Sequence, residues 1–234
     1  MAAEPDSVPG RARNPLIVAL DRSDLDGAAE LAAGLRGHVG MLKVGLELFV
    51  SAGPESVRRI RPFAPVFLDL KLHDIPNTVG RAARQAGRLG PTLLTVHALG
   101  GGAMVRAAVD EAAAGAEEAG FEPPDVVGVT VLSSVGADSL ASPASLAFEA
   151  VSAGAAGVVC SGEHVREVRE ALDEGPIVVV PGIRPGGFGS NDHVRVLTPR
   201  DALAAGADLL VVGRPITGAS DPAAAARMVL ADIG

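Results

Sequence analysis

Short runs of β-branched and aliphatic residues recur along the chain at positions 16–20, 41–45, 66–71, 93–97, 126–132, 157–161, 177–181 and 209–213. Each is apolar almost throughout, the pattern of a strand buried on both faces of a parallel sheet. Between them lie stretches rich in Ala, Leu, Glu and Arg, among them 28–35, 79–89, 103–119 and 223–231, whose composition favours helix. Strand and helix alternate throughout. Eight such units in 234 residues predict an α/β fold of the single-domain (β/α)8 TIM barrel type, with a doubly wound open sheet as the alternative. Residues 1–14 are polar, contain proline and lack periodicity, so a flexible N-terminal tail is expected there and the barrel over 15–234.

A barrel places its chemistry at the carboxyl ends of the strands and in the loops that follow. The polar residues of this chain gather at those positions. Asp21 follows the first strand, Lys43 lies late in the second, Asp69 and Lys71 end the third, and His97 ends the fourth. Ser133 follows the fifth, Arg184 the seventh, and Arg214 closes the eighth. In Leu68-Asp-Leu-Lys-Leu72 the strand period of two turns Asp69 and Lys71 to one face and the leucines to the other. Asp74 falls beyond the strand, where Ile75-Pro76 keeps the chain extended, and it could face this site or a neighbouring subunit. With Lys43 these residues make a set of two ammoniums and two carboxylates whose formal charges cancel, which is how partly buried charge is tolerated. An ammonium flanked by carboxylates is a proton donor in waiting. A purely structural ion-pair network would look the same from spacing alone.

The segment from Pro181 to Asn191 is glycine-rich and follows the seventh strand, and Gly213-Arg214 follows the eighth. Barrels often bind phosphate in these two loops, through exposed backbone N–H groups and a forked guanidinium. Arg184 either touches that phosphate or braces the loop. A second glycine run, residues 99–103, reads as the entry to a helix rather than an anion cradle.

Composition narrows the partners. A net charge of −8 and a pI near 5.1 argue against a nucleic-acid or anionic-membrane surface. No apolar run is long enough to span a bilayer. The single cysteine, Cys160, sits in an apolar stretch as a core thiol, and a reducing cytoplasm is the expected setting. With no Trp or Tyr and six Phe, a ligand ring would be held by hydrogen bonds and aliphatic walls rather than stacked between aromatics. His73 and His97 lack metal-ligand spacing, and no metal is expected.

The run Phe67-Leu-Asp-Leu-Lys-Leu-His-Asp-Ile-Pro-Asn-Thr78 resembles the signature of orotidine 5'-monophosphate decarboxylases, an Asp-x-Lys-x-x-Asp cluster followed by Ile-Pro-x-Thr. Ala19-Leu-Asp21, Leu42-Lys-Val-Gly45, Thr95-Val-His97, Val131-Leu-Ser133, Pro181-Gly-Ile-Arg184 and Gly213-Arg-Pro215 resemble that family in order and spacing, from about Leu16 to the C-terminus. The resemblance implies decarboxylation of a pyrimidine nucleotide to uridine 5'-monophosphate without a cofactor. It implies that Lys71 protonates the ring carbon left by CO2, that Asp69 lies beside the substrate carboxylate, and that Asp21 and Lys43 bind ribose hydroxyls. Asp74 and Thr78 match positions that enter a partner subunit's site, implying a homodimer, and Ser133 matches a residue bonded to the pyrimidine edge. Pro181, Arg184, Gly213 and Arg214 fall on the phosphate side. There the family usually has Gln after Asp, whereas this chain has Asp192-His193, so His193 stands as a substitute ring N–H donor or an exposed loop histidine. Two rivals remain: magnesium-dependent relatives sharing Asp-x-Lys-x-x-Asp, such as keto-gulonate phosphate decarboxylase and hexulose phosphate synthase, and a catalytically silent nucleotide binder. Ile75-Pro-Asn-Thr78 and Ser133 favour the nucleotide enzyme.

Overall fold

The structure, a computed structural model, describes residues 14–131, 142–185 and 197–233. The strands are β1 (Leu16–Ala19), β2 (Met41–Gly45), β3 (Val66–Leu72), β4 (Leu93–His97), β5 (Asp125–Val129), β6 (Gly157–Val159), β7 (Ile177–Pro181) and β8 (Leu209–Val212). The helices are α1 (Leu25–Leu35), α2 (Leu46–Ala52), α3 (Pro54–Ile60), α4 (Pro76–Gly87), α5 (Gly101–Glu118), α6 (Pro143–Ser152), α7 (Val165–Leu172), α8 (Pro199–Ala204), α9 (Arg214–Thr217) and α10 (Pro222–Ile233). All eight strands pair in parallel and in chain order, and β1 closes on β8. The expected (β/α)8 barrel is therefore observed, and the open-sheet alternative is set aside. Of the expected tail, residues 1–13 lie outside the described residues. Asn14 is tied down, accepting from the Leu16 amide at 3.0 Å and donating to the His38 carbonyl at 3.3 Å.

Alternation along the strands sorts their side chains into two apolar layers. One fills the barrel interior, with Ile17, Met41, Phe67, Leu93, Val127, Ile177 and Leu209 among its members. The other, including Val18, Leu42, Leu68, Leu94, Val158, Val178 and Leu210, meets the helices. Because both faces of every strand are covered, the strands read as continuous apolar runs in the sequence.

Helix starts carry local signals. Asp24 caps α1 by accepting from the Asp26 and Gly27 amides at 3.1 and 2.9 Å. Ser142 and Thr198 cap α6 and α8 in the same way, each ahead of a proline in the first turn. Helices α4 and α5 approach each other backbone to backbone. A Cβ at Gly87 would lie 2.1 Å from the Ala112 carbonyl oxygen, and one at Gly115 would lie 2.0 Å from that of Arg84. Only glycine permits that closeness. The same helix pair is laced on its outer side by Arg84 with Glu111 and Glu118, and by Arg88 with Glu118.

Candidate active site

Four charged side chains meet at the carboxyl end of the barrel. Asp21 Oδ1 accepts from Lys43 Nζ at 3.0 Å, Lys43 Nζ lies 3.5 Å from Asp69 Oδ2, and Lys71 Nζ donates to both Asp69 oxygens at 2.7 Å. The result is an alternating line of carboxylate, ammonium, carboxylate and ammonium. Asp69 is the most enclosed, with 8 % of its surface exposed, and it faces both lysines. Such enclosure is tolerable because each charge has an opposite neighbour. Within one chain the second carboxylate of the set is Asp21, not Asp74.

Strand alternation accounts for Asp69 but not for Lys71. The register with β4 runs Phe67↔Leu93 and Leu68↔Leu94, then resumes only at Leu72↔Val96, so β3 bulges between Leu68 and Leu72. Lys71 takes φ +50°, a left-handed conformation rare for a residue with a side chain. Holding it there costs about 1–3 kcal/mol. Lys71 thus reaches Asp69 through a strained bulge rather than by sharing a pleat face.

Glycine at position 45 makes room for this line. A Cβ there would sit 2.9 Å from Lys43 Nζ and 3.1 Å from Asp21 Oδ1. Thr95, inward-facing on β4 and fully buried, accepts from the Lys71 amide at 2.8 Å and donates to Asp69 Oδ1 at 3.0 Å. Neither residue was assigned a role from sequence beyond its place in a motif. A lone hydroxyl at an inward position of the apolar run Leu93–His97 was the available signal for Thr95.

The charged line borders a cavity of about 430 Å³. Ala19, Phe67, Val159 and Val211 supply apolar wall, and Pro181, Gly182, Ile183 and Arg184 after β7 join Gly213, Arg214 and Pro215 after β8. This volume falls in the range of small-ligand sites. Gly182 has φ +76°, a turn open to glycine that lets the β7 loop fold along the cavity. Arg184 lines the cavity, and its amide donates to the Leu197 carbonyl at 3.3 Å, so its backbone also braces the loop.

Other candidates fall elsewhere. Asp74 and Thr78 are exposed and do not line the cavity; Asp74 Oδ1 accepts from the Ile75 amide at 2.7 Å just before Pro76 opens α4. Ser133 and His193 lie outside the described residues. The glycine run that opens α5 holds no open anion cradle, since Glu149 Oε1 accepts from the Gly102 amide at 3.0 Å. His97 stacks on His73 with ring centroids 5.1 Å apart, and its buried Nδ1 has no hydrogen-bond partner among the described residues. Desolvation, with the nearby His73 and Lys71 charges adding to it, pulls the His97 pKa below the ordinary histidine value. Burial pushes the Cys160 thiol up to about 12, as befits a core residue. Among the described residues no three His, Cys, Asp or Glu side chains converge as metal ligands, and no helix is long and apolar enough to cross a membrane.

Residues 14–229 match the model of the orotidine 5'-phosphate decarboxylase / HUMPS family. The chain belongs to this family. The orotidine 5'-phosphate decarboxylase / HUMPS match takes in all eight strands and the whole cavity wall. Similar proteins include the orotidine 5'-phosphate decarboxylase of Anaeromyxobacter dehalogenans, 49% identical over 93% of this chain and 97% of that one. That of Paramagnetospirillum magneticum is 46% identical over 94% and 99%. Among solved structures, the orotidine 5'-phosphate decarboxylase of Lactobacillus acidophilus superposes with a TM-score of 0.81 at 36% identity, covering 94% of this chain and 99% of that chain.

Proposed function

We propose that this chain is an orotidine-5'-phosphate decarboxylase, converting orotidine 5'-monophosphate to uridine 5'-monophosphate in pyrimidine biosynthesis. The observation that carries the reading is Lys71 Nζ, held at 2.7 Å on both oxygens of Asp69 beside a cavity with two arginines on its β7–β8 side. The family membership and the similarity to decarboxylases along nearly the whole chain support it.

Breaking the bond from the ring to the carboxylate leaves its electron pair on a ring carbon as CO2 departs. That carbon has no delocalised sink, so opposite charge must already stand beside it. Lys71 supplies the ammonium and then the proton, and is reloaded from solvent. Its attraction grows only as the carbanion forms, so it lowers the barrier rather than merely tightening binding. Asp69 fixes Lys71 and lies next to the departing carboxylate. Asp21 and Lys43 take the ribose hydroxyls, and Ser133 takes the pyrimidine edge. Pro181, Arg184, Gly213, Arg214 and His193 take the phosphate, whose binding energy orients the ring.

The step needs no cofactor. Asp21 and Asp69 each face an ammonium, which leaves their charge compensated by this chain's own lysines. The active form is a homodimer in which Asp74 and Thr78 reach the partner's cavity. Leu46, Val50, Ile75 and Leu99, exposed at 52, 80, 64 and 53 %, follow the successive strands β2, β3 and β4 at the same end of the barrel. Apolar side chains grouped in this way suit a protein surface. The acidic net charge fits neither nucleic acid nor an anionic membrane, and an inert buried thiol suits the cytoplasm.

The test is the absorbance change of orotidine 5'-monophosphate with wild-type protein and Lys71→Ala side by side, after exhaustive EDTA treatment. Turnover by the wild type alone is expected. Activity abolished by EDTA and restored by magnesium would move the protein to the metal-dependent branch, and nucleotide binding without turnover would make it a silent binder.

A further inference from the structure

The structure assigns Thr95 a positioning role: its hydroxyl fixes the bulged backbone of Lys71 and one oxygen of Asp69 in a single geometry. The inference rests on the decarboxylase reading above and concerns how that reading's proton donor is held in place.

Three observations lead to it. First, the β3 bulge removes the Lys71 amide from the regular ladder, since three residues lie between Leu68 and Leu72 while only one lies between their partners Leu94 and Val96. The amide donates instead to Thr95 Oγ1 at 2.8 Å. Second, that oxygen donates its own hydrogen to Asp69 Oδ1 at 3.0 Å. The hydroxyl accepts through a lone pair and donates its one hydrogen, so a single atom sets both the backbone of Lys71 and the carboxylate that its ammonium grips. Third, Thr95 is completely buried, on a strand whose pairing with β5 is regular through His97. The hydroxyl is therefore mounted on rigid scaffold. Its two bonds offset the cost of a left-handed lysine.

A merely structural threonine would satisfy buried polar groups and change stability alone. A positioning threonine changes the reaction, because a displacement near 1 Å at a reacting group can cost about 100-fold in rate. Thr95 lies outside the residues lining the cavity, so nucleotide binding should be spared.

The experiment compares Thr95→Val, which keeps the shape and removes the hydroxyl, with Thr95→Ala, which leaves room for the chain to settle should the valine variant not fold. Thr95→Ser, which restores the hydroxyl, is the rescue. Steady-state kinetics on orotidine 5'-monophosphate are measured for all four proteins, with uridine 5'-monophosphate affinity for each. The expected result is a fall in kcat of about 10- to 100-fold in the valine and alanine variants, with KM and product affinity within about twofold of wild type. The serine variant should recover most of kcat. Unchanged kcat in the folded variants, a loss confined to KM, or an equal loss in the serine variant would overturn the positioning role. A wild-type protein without turnover would instead overturn the decarboxylase reading, so the two failures are distinguishable.

Discussion

Lys71 Nζ sits 2.7 Å from both carboxylate oxygens of Asp69, two residues behind it on a strand that bulges between them. Asp69 also faces Lys43, so it is the carboxylate shared by two ammoniums. Asp69→Asn should leave those two positive charges opposed without the anion between them. Turnover should fall at least about 100-fold, and the melting temperature should drop, because breaking an enclosed pair costs about 3–5 kcal/mol. Asp21 still compensates Lys43, which places the loss near the lower end. Kinetics and thermal unfolding on the same preparation check both halves.

Gly45 tests whether the room around the charged line matters. Its added Cβ would crowd Lys43 Nζ and Asp21 Oδ1, both mobile side-chain ends, so Gly45→Ala should fold with little change in melting temperature. The displaced pair should raise KM for the nucleotide severalfold. A KM equal to wild type would show that Asp21 and Lys43 do not bind it.

Histidine 97 gives the fold a definite response to acid. Its folded-state pKa lies below the ordinary value of about 6.5, chiefly through desolvation. Above pH 6.5 the residue is neutral whether the chain is folded or unfolded, and its contribution is fully present. As pH falls through 6.5 the unfolded chain takes up a proton that the folded chain resists, and stability is lost until the folded pKa is passed. The melting temperature should therefore decline between pH 7.5 and 5.5, and His97→Gln should flatten that decline. Parallel slopes for the two proteins would refute the assignment.

Ile75 tests the proposed homodimer. Ile75→Glu places a charge on the exposed apolar rim between Asp74 and Pro76. Sedimentation should shift toward monomer and turnover should collapse, while the monomer's melting temperature stays close to that of a dilute wild-type sample. An active variant of unchanged mass would remove the rim from the interface.

Much of this was legible in the sequence, for reasons visible in particular residues. Phe67 is buried in the barrel interior and Leu68 beneath the helices, as are their counterparts on the other strands, so the runs announced parallel strands. The count of eight alternating units favoured a closed barrel over an open sheet, and the pairing of β1 with β8 decides it. Asp21, Lys43 and Asp69 could be placed at strand ends because the pleat is regular up to Asp69. Beyond it the reading by alternation fails, because a two-residue bulge follows no hydrophobic period and Lys71 gives no glycine-like warning of φ +50°. Thr95 and Gly45 were overlooked as actors because their contribution is a cross-strand hydrogen bond and an absent side chain, neither of which has a linear pattern. The fifth strand ends at Val129 rather than extending to 132, and residue 132 itself lies outside the described residues.

The backbone-to-backbone seat of α4 on α5 has a consequence for the rim. Helix α4 begins at Pro76, immediately after Asp74 and Ile75, so that segment is mounted on a helix whose last turn is locked by Gly87 against Ala112 and Arg84 against Gly115, and whose middle passes Ala107 at Gly80. A side chain carried on so stiff a mount has surrendered much of its freedom before any second molecule arrives. In the proposed dimer little would remain to be lost on docking, and more of the contact energy would appear as affinity.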